Sequence, residues 1–256
     1  MSKLEEFHDE ILHELLCKEN APKVQKDILI VVHDQLNYVK VCFDSVFANT
    51  KDYTLYVWDN ASQDETKDYL KDLERQGLIV LTRSETNEGF IIPNNRLFSQ
   101  GKSSHVILLN SDTRVHEGWS EVLTGYLHEH WEVGIVGYQG GKLNPQGEGR
   151  QTAYGKDVDY VSGWCLCTVR ELIEDNLEGV LFDEENLIFA YAEDSDLSLR
   201  MREADFKVYA LHVYFVDHFE NKTILTVHNE LGEFVQNTFD KNHEYIRRRW
   251  GRLLPN

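Results

Sequence analysis

The sequence predicts an α/β protein built on a doubly wound, mostly parallel sheet with helices on both faces. Two observations lead to this prediction. Five short runs, at residues 28–32, 53–58, 78–81, 106–109 and 133–136, are rich in aliphatic and β-branched residues, which is typical of strands buried on both faces. Among them lie helical stretches at residues 38–47, 65–75 and 119–130, each long enough to connect parallel strands.

The composition is that of a folded, strongly acidic protein. The chain has 256 residues, of which 41% are hydrophobic, and its formal net charge is −18. A chain of this length can bury a core without disulfides or a structural metal. Its negative charge opposes association with polyanions, so we expect neither nucleic acid nor an anionic membrane surface as a partner.

The cysteines and the apolar runs indicate a cytoplasmic protein. Cys17, Cys42, Cys165 and Cys167 form no Cys-x-x-Cys pair, and we interpret them as reduced thiols of the core. No leader-like segment precedes the domain, and no apolar run approaches the roughly 18 residues of a membrane-spanning helix. We therefore expect no transmembrane segment.

The chain divides into three predicted parts. Residues 1–26 carry apolar positions at helical spacing followed by a polar stretch, which indicates a helical extension and a linker. Residues 27–223 form the main domain, with halves at 27–113 and 114–223, and residues 224–256 are expected to be helical and packed on it. No glycine-rich dinucleotide motif and no P-loop occurs in the chain, which argues against those two classes.

Polar residues follow the predicted strands at their carboxyl ends, where ligands bind in open α/β sheets. They are His33 and Asp34 after the first strand, Asp59 and Asn60 after the second, and Asn110, Ser111 and Asp112 after the fourth. Asp59 and Asp112 should converge on one rim, although either alone is typical of a helix cap or a turn. Without a phosphate-binding loop, a divalent metal on Asp112 is the simplest way to neutralise a diphosphate.

A second acidic cluster begins a predicted helix and consists of Glu193, Asp194 and Asp196. The positive end of the helix dipole favours ionised carboxylates there, which suits a catalytic base and equally suits helix stabilisation. Asp196 should pair with Arg200, four residues further along the helix.

Eight segments, in order and spread over residues 27–251, resemble the inverting GT-A glycosyltransferases of family 2. They are VWDNASQDET (57–66), NEGFIIPNN (87–95), LLNSDT (108–113), VSGWCLCTVREL (161–172), FDEE (182–185), YAEDSDLSLRMREADFKVY (191–209), HFENKT (218–223) and RRRWG (247–251). LLNSDT resembles the metal-binding Asp-x-Asp region in an Asn-x-Asp-Thr form, which is frequent in rhamnosyltransferase-like members.

The resemblance implies the GT-A fold, a nucleotide-binding half at 27–113 and an acceptor and catalytic half at 114–223. It also implies a donor linked to dTDP or UDP, with rhamnose as a candidate sugar, and a glycan as acceptor. By this resemblance the donor site is lined by the backbone around Val32 and His33 and is completed by Asp59, Asn87, Gly89, Asn95, Asn110 and Asp112.

The resemblance further places a divalent metal, Mn²⁺ or Mg²⁺, on Asp112 and His218. Asp194 becomes the base that takes the proton of the acceptor hydroxyl, with Glu193 as the second candidate. Arg249, in the basic segment before Trp250, would contact the diphosphate, although the end of a helix is an equally good place for such a cation.

Trp164 is a candidate for stacking on an acceptor sugar and is equally compatible with the core. The five histidines best read as surface or core residues are His105, His116, His128, His130 and His212.

Two other functions compete with this interpretation. A sugar nucleotidyltransferase would carry a glycine-rich signature with a nearby lysine, which residues 28–37 lack. A catalytically inactive GT-A-like module that binds a nucleotide or a sugar would have no reason to keep Asp59, Asp112, Asp194 and His218 together.

Overall fold

The computed structural model describes residues 24–219 and 231–255. The extension expected before residue 24, Cys17 and most of the segment 218–223 lie outside the described residues. The strands are β1 (Lys26–Val32), β2 (Tyr53–Asn60), β3 (Val80–Ser84), β4 (His105–Leu109), β5 (Thr113–Val115), β6 (Val133–Gly137), β7 (Gly140–Leu143), β8 (Gly149–Ala153), β9 (Tyr160–Val161), β10 (Cys165–Val169), β11 (Lys207–Ala210) and β12 (Val216–His218). The helices are α1 (Leu36–Asn49), α2 (Asp64–Arg75), α3 (Ile91–Gln100), α4 (Trp119–Glu129), α5 (Arg170–Asn176), α6 (Glu193–Glu203) and α7 (Glu233–Trp250).

The main sheet has seven strands in the order β11-β6-β10-β4-β1-β2-β3. β1 runs parallel to β2 and β4, β3 is parallel to β2, and β11 is parallel to β6. β10 alone among these strands is antiparallel to its two neighbours, β4 and β6. The predicted α/β class with a mostly parallel sheet is confirmed.

The two faces of this sheet bury separate hydrophobic clusters, which explains why the strand sequences are apolar throughout. Ile28 and Ile30 of β1 belong to the cluster that includes Phe43 of α1 and Trp119 of α4. Leu29 points to the other face, whose cluster includes residues of α3, α6 and α7. Because neighbouring residues of a strand face opposite sides, both the odd-numbered and the even-numbered positions must be apolar here.

Helix α7 packs against the second of these clusters through Tyr245, Ile246 and Trp250. None of the helices in residues 24–219 and 231–255 is long and apolar enough to cross a membrane. Cys42, Cys165 and Cys167 are buried free thiols, as the sequence predicts for them.

Two small sheets lie beside the large one. β5 pairs antiparallel with β12, so that Thr113 faces His218. β7 lies between β8 and β9 and is antiparallel to both. Strands this short carry too few residues to show a clear alternation.

The third strand lies further along the chain than its apolar run suggests. The prediction was residues 78–81, whereas β3 spans Val80–Ser84. Leu78 and Val80 are both exposed, because β3 is the edge strand of the main sheet and one side of it faces solvent. An edge strand has less need of apolar residues than a central one.

Candidate active site

A cavity of about 320 Å³ opens at the carboxyl ends of β1, β2 and β4, the place where open α/β sheets bind ligands. Most of the predicted site residues line it, namely His33, Asn87, Gly89, Asn110, Asp112, Trp164, Glu193, Asp194 and His218. The cavity therefore brings together residues from both predicted halves of the domain.

Two predicted donor residues at the strand ends have side chains outside the cavity lining. The side chain of Val32 is completely buried and that of Val31 lines the cavity, because the two side chains point to opposite faces of β1. The expected contact from the backbone around Val32 and His33 stays a prediction. The carboxylate of Asp59 is also fully buried. One of its oxygens accepts the backbone N–H of Ser62 at 2.9 Å, and the other is paired with Arg83. Asp59 therefore braces a loop beside the cavity.

Asn60 lines the cavity where Asp59 was expected. Its Nδ2 donates to Asn87 Oδ1 at 2.7 Å and to the Gly89 carbonyl at 2.8 Å, and its Oδ1 accepts the N–H of Glu88 at 2.7 Å. Gly89 has φ +79°, and a Cβ there would collide with the carbonyl oxygen of Phe189. Asn60 thus fixes a turn that only glycine can complete at residue 89.

Asn95 and Arg249 do not reach this cavity and line a separate polar one. Asn95 exchanges hydrogen bonds of 2.8 Å with the backbone N–H and carbonyl of Phe182. The guanidinium of Arg249 pairs with Asp183 at 3.0 Å and lies over the ring of Trp250. Both side chains tie secondary-structure elements together outside the cavity, so the cavity lining does not include the predicted donor residue Asn95 or the predicted diphosphate residue Arg249.

Asp112 and His218 meet because β5 and β12 pair. The backbone N–H of Phe219 donates to the Asp112 carbonyl at 2.9 Å, which holds the two chain segments side by side. His218 Nε2 then lies 3.3 Å from Asp112 Oδ1. The ring of Trp164 stacks on His218, with 4.9 Å between ring centres and 12° between planes, so one face of the Trp164 ring is occupied by a histidine.

This pair has the chemistry of a divalent metal site. A carboxylate oxygen and an imidazole nitrogen are ligands that Mn²⁺ accepts. His218 Nε2 is buried and has no hydrogen-bond partner among the described residues. Residues 24–219 and 231–255 contain no cluster of three His, Cys, Asp or Glu able to hold a metal. A divalent metal held by these two donors would leave its other positions to phosphate oxygens and water.

Two of the three carboxylates of the second acidic cluster, Glu193 and Asp194, stand at the start of α6 and line the cavity. Asp194 accepts the backbone N–H of Gly163 at 3.0 Å and that of Ser195 at 2.7 Å. Asp196 points away from the cavity and pairs with Arg200 at 2.8 Å, as predicted, while also accepting the Trp250 indole N–H. Asp196 therefore anchors α6 to the core.

Burial and hydrogen bonding give the two cavity carboxylates, Glu193 and Asp194, different tendencies to hold a proton. It raises the pKa of Glu193 to about 8, and the neighbouring charge of Asp194 adds to the rise. Glu193 Oε2 is buried without a hydrogen-bond partner among the described residues. Burial raises the pKa of Asp194 as well, but the N–H groups of Gly163 and Ser195 favour its ionised form. When the two carboxylates together hold one proton, Glu193 therefore carries it and Asp194 is the anion.

The loop before α6 is strained and held by a residue that the sequence did not reveal. Phe189, Tyr191 and Ala192 have φ of 61°, 77° and 65°, a conformation unfavourable for L-residues. Asn242 of α7 is fully buried, and its Nδ2 lies 2.9 to 3.0 Å from the carbonyls of Ile188, Ala190 and Tyr191. Its Oδ1 accepts the N–H of Ile188 at 3.1 Å. No pattern distinguishes such an asparagine from any polar residue of a helix.

The architecture, with its mixed sheet and its cavity at the strand ends, is the GT-A fold of glycosyltransferases. The chain belongs to glycosyl transferase family 2, whose model matches residues 27–161. No curated protein matches the chain by sequence.

Solved structures share the fold at low sequence identity. GalNAc-T7 with UDP, GalNAc and Mn²⁺ is 16% identical with a TM-score of 0.66, over 78% of this chain and 44% of that one. The mannosyltransferase PcManGT of Pyrobaculum calidifontis, with GDP-Man and Mn²⁺, is 14% identical with a TM-score of 0.58, over 81% and 61%. Residues 1–349 of S. aureus TarS are 15% identical with a TM-score of 0.58, over 84% of this chain and 66% of that one. The chain thus spans about half to two thirds of these proteins.

Replacing Glu193 by glutamine should change how stability depends on pH. In the unfolded chain a glutamate ionises near pH 4.5, whereas in the folded protein the pKa of Glu193 is about 8. Between these values the folded state holds the extra proton, so stability should fall as pH rises and level off above pH 8. Glu193→Gln removes this decline and should melt higher than the wild type at pH 8.

The measurement is thermal unfolding of both proteins from pH 4 to 9, without metal or nucleotide. Glu171→Gln, at an exposed position of α5, is the control and should follow the wild-type curve. Equal slopes for Glu193→Gln and wild type would contradict a protonated Glu193.

Proposed function

We propose that the protein is an inverting glycosyltransferase that moves a sugar from a nucleotide-diphosphate donor to a hydroxyl of a glycan acceptor. The observation that carries the proposal is the meeting of two chemically different groups in one cavity. The Asp112–His218 pair suits a metal-bound diphosphate, and the anionic Asp194 suits the acceptance of a proton. Membership in glycosyl transferase family 2 supports the same assignment.

The donor nucleotide is assigned to the side of the cavity formed by the ends of β1 and β2. His33 Nδ1 lies 2.8 Å from the Asn60 carbonyl, and the turn at Asn87 and Gly89 closes this side. We assign a pyrimidine nucleotide, UDP or dTDP, and keep rhamnose as a candidate sugar because of the Asn-x-Asp-Thr segment at 110–113. UDP is the nucleotide bound in the GalNAc-T7 structure.

Asp112 and His218 would hold Mn²⁺ or Mg²⁺. When bound, the metal supplies positive charge to the diphosphate and so stabilises it as the leaving group. Mn²⁺ in the structures of GalNAc-T7 and PcManGT supports a divalent metal here. Asn110, whose N–H donates to the Trp164 carbonyl at 2.8 Å, contributes to the cavity wall beside this pair.

Transfer proceeds as a single displacement. The acceptor hydroxyl oxygen attacks the anomeric carbon, the bond from that carbon to the diphosphate oxygen breaks, and the hydroxyl proton passes to the carboxylate of Asp194. The hydrogen bonds from Gly163 and Ser195 hold that carboxylate in place. Glu193, carrying its proton, serves as a hydrogen-bond donor to a substrate oxygen and does not act as a second base.

This assignment also proposes a setting for the reaction. Glycan acceptors and nucleotide-sugar donors belong to polysaccharide biosynthesis. The three free buried thiols are compatible with a reducing compartment, and we propose the cytoplasm.

A nucleotide panel tests the proposal. Thermal unfolding is measured with UDP, dTDP, GDP, CDP and ADP, each with Mn²⁺, Mg²⁺ or EDTA. A ligand at 100 times its dissociation constant stabilises a protein by about 2.7 kcal/mol, which raises the melting temperature of a chain of this size by roughly 5–11 °C. We expect this shift for UDP or dTDP with metal and its loss in EDTA.

No shift with any nucleotide would support the inactive module and contradict the proposal. A shift that persists unchanged in EDTA would overturn the metal site alone. For the nucleotide that binds, the anomeric configuration of the sugar transferred from its donor, read by NMR, distinguishes inversion from retention.

A further inference from the structure

A group of aromatic rings lies exposed outside the cavity. Tyr214 is 88% exposed and Tyr154 is 36% exposed. The ring of Tyr154 stacks on that of His212, with 4.2 Å between centres and 25° between planes, and Tyr214 lies 6.0 Å from His212. We name these three residues the aromatic platform. Clustered exposed rings in an acidic, polar surface mark an interaction site more often than single ones do.

Two backbone hydrogen bonds hold Tyr154 and His212 of the platform beside each other. Gly155, directly after Tyr154, donates its N–H to the Ala210 carbonyl at 2.7 Å, and Ala210 donates back at 3.1 Å. This pair of hydrogen bonds joins the segment that carries Tyr154 to the one that carries His212. Rings fixed before binding lose little conformational freedom when a ligand arrives, so more of the contact energy remains for affinity.

A path along the small three-stranded sheet connects the platform to the cavity. Gly141 of β7 pairs with Tyr160 of β9 on one side and with Thr152 of β8 on the other. Residues paired across antiparallel strands point to the same face, and Tyr154 follows Thr152 by two positions. Tyr160 also lines the cavity.

The Tyr160 side chain covers the first part of this path. A Cβ at Gly141 would lie 2.7 Å from the Tyr160 hydroxyl, so the Tyr160 ring lies across the glycine. Two strand spacings, about 10 Å, separate Tyr160 from Thr152, a distance that a short oligosaccharide covers. Thr152 is exposed and offers a hydroxyl to hydrogen-bond with a sugar.

We propose that the aromatic platform binds the acceptor glycan beyond the sugar that reacts, and that the acceptor is a neutral oligosaccharide. The inference rests on the proposed function and deepens it by naming the acceptor class. Pyranose rings present C–H faces that stack on aromatic rings. The net charge of −18 disfavours a polyanionic chain on the same surface.

The test is a glycan array that carries neutral and acidic glycans of increasing length, probed with fluorescently labelled protein. The wild type should retain neutral oligosaccharides, and more strongly as the chain lengthens. Tyr154→Ala/Tyr214→Ala should reduce this signal about tenfold, equivalent to about 1.4 kcal/mol. Trp131→Ala is the matched control, because Trp131 is an 83% exposed aromatic residue outside the platform, and it should bind like the wild type.

Separate outcomes identify which proposal fails. Wild type that retains no neutral glycan, that prefers acidic glycans, or that binds no better than the double variant overturns the platform. The nucleotide panel is repeated on the double variant, whose melting shifts should equal those of the wild type. Glycan retention without any nucleotide shift would leave the platform standing and refute the glycosyltransferase assignment.

Discussion

Asp194→Asn should lower kcat by about 10²- to 10⁴-fold, the contribution expected of a general base, with little change in nucleotide affinity. The amide cannot take up the proton of the acceptor hydroxyl, while the cavity that binds the nucleotide remains. An amide can accept only one of the two N–H groups, of Gly163 and Ser195, that the carboxylate accepts. The variant should therefore melt lower by an amount corresponding to about 1–3 kcal/mol.

The measurement combines turnover with the donor nucleotide identified by the panel and the melting shift caused by that nucleotide. A retained shift shows that the variant is folded and loaded. Asp205→Asn is the control, because Asp205 is exposed just after α6 at φ 65°, a conformation that asparagine tolerates. Turnover of Asp194→Asn within about tenfold of wild type, or 1.4 kcal/mol of barrier, would exclude Asp194 as the base.

Asp112→Ala should abolish the metal-dependent part of nucleotide binding and lower kcat/KM by at least about 10²-fold, as loss of a main charge-stabilising group does. Removing the carboxylate leaves His218 as the one remaining donor of the pair. A diphosphate would then have no bound cation beside it in a protein of net charge −18. His218→Ala should weaken metal binding while Asp112 still provides a charged ligand.

Melting shifts are recorded with nucleotide over a series of Mn²⁺ concentrations. Asp217→Ala is the control for loss of a carboxylate from the β5–β12 pair. Asp217 lies beside His218 in sequence, but its carboxylate contacts the exposed His116 at 3.0 Å. We expect Asp217→Ala to respond to Mn²⁺ like the wild type. If Asp112→Ala also did so, the metal would have to bind elsewhere.

The sequence predicts the large sheet well because burial on both faces leaves a strong signal. The runs at 28–32 and 106–109 coincide with β1 and β4. It does not predict the pairing of β5 with β12, which depends on the approach of segments about 100 residues apart. That pairing brings His218 to Asp112. The family motifs identified Asp112 and His218 as site residues, but the local sequence patterns did not indicate that these two residues meet through a strand pair.

Which side chains face the cavity depends on contacts that the motifs do not show. The resemblance selects Asp59 for the donor, yet alternation along β2 turns Asn60 toward the cavity. Arg249 was chosen because a diphosphate needs positive charge, but Asp183, far away in sequence, already pairs with it. Partners supplied by tertiary structure are not visible in a local pattern.

Asn242 makes the carboxylate wall of the cavity depend on α7. The loop at 188–192, which leads directly into Glu193 and Asp194, obtains its hydrogen bonds from this residue. Asn242 itself does not line the cavity. Three residues of the loop have positive φ, a conformation that persists only where the surrounding structure enforces it. The position of the two carboxylates is therefore set from outside the cavity, by a side chain that does not face it.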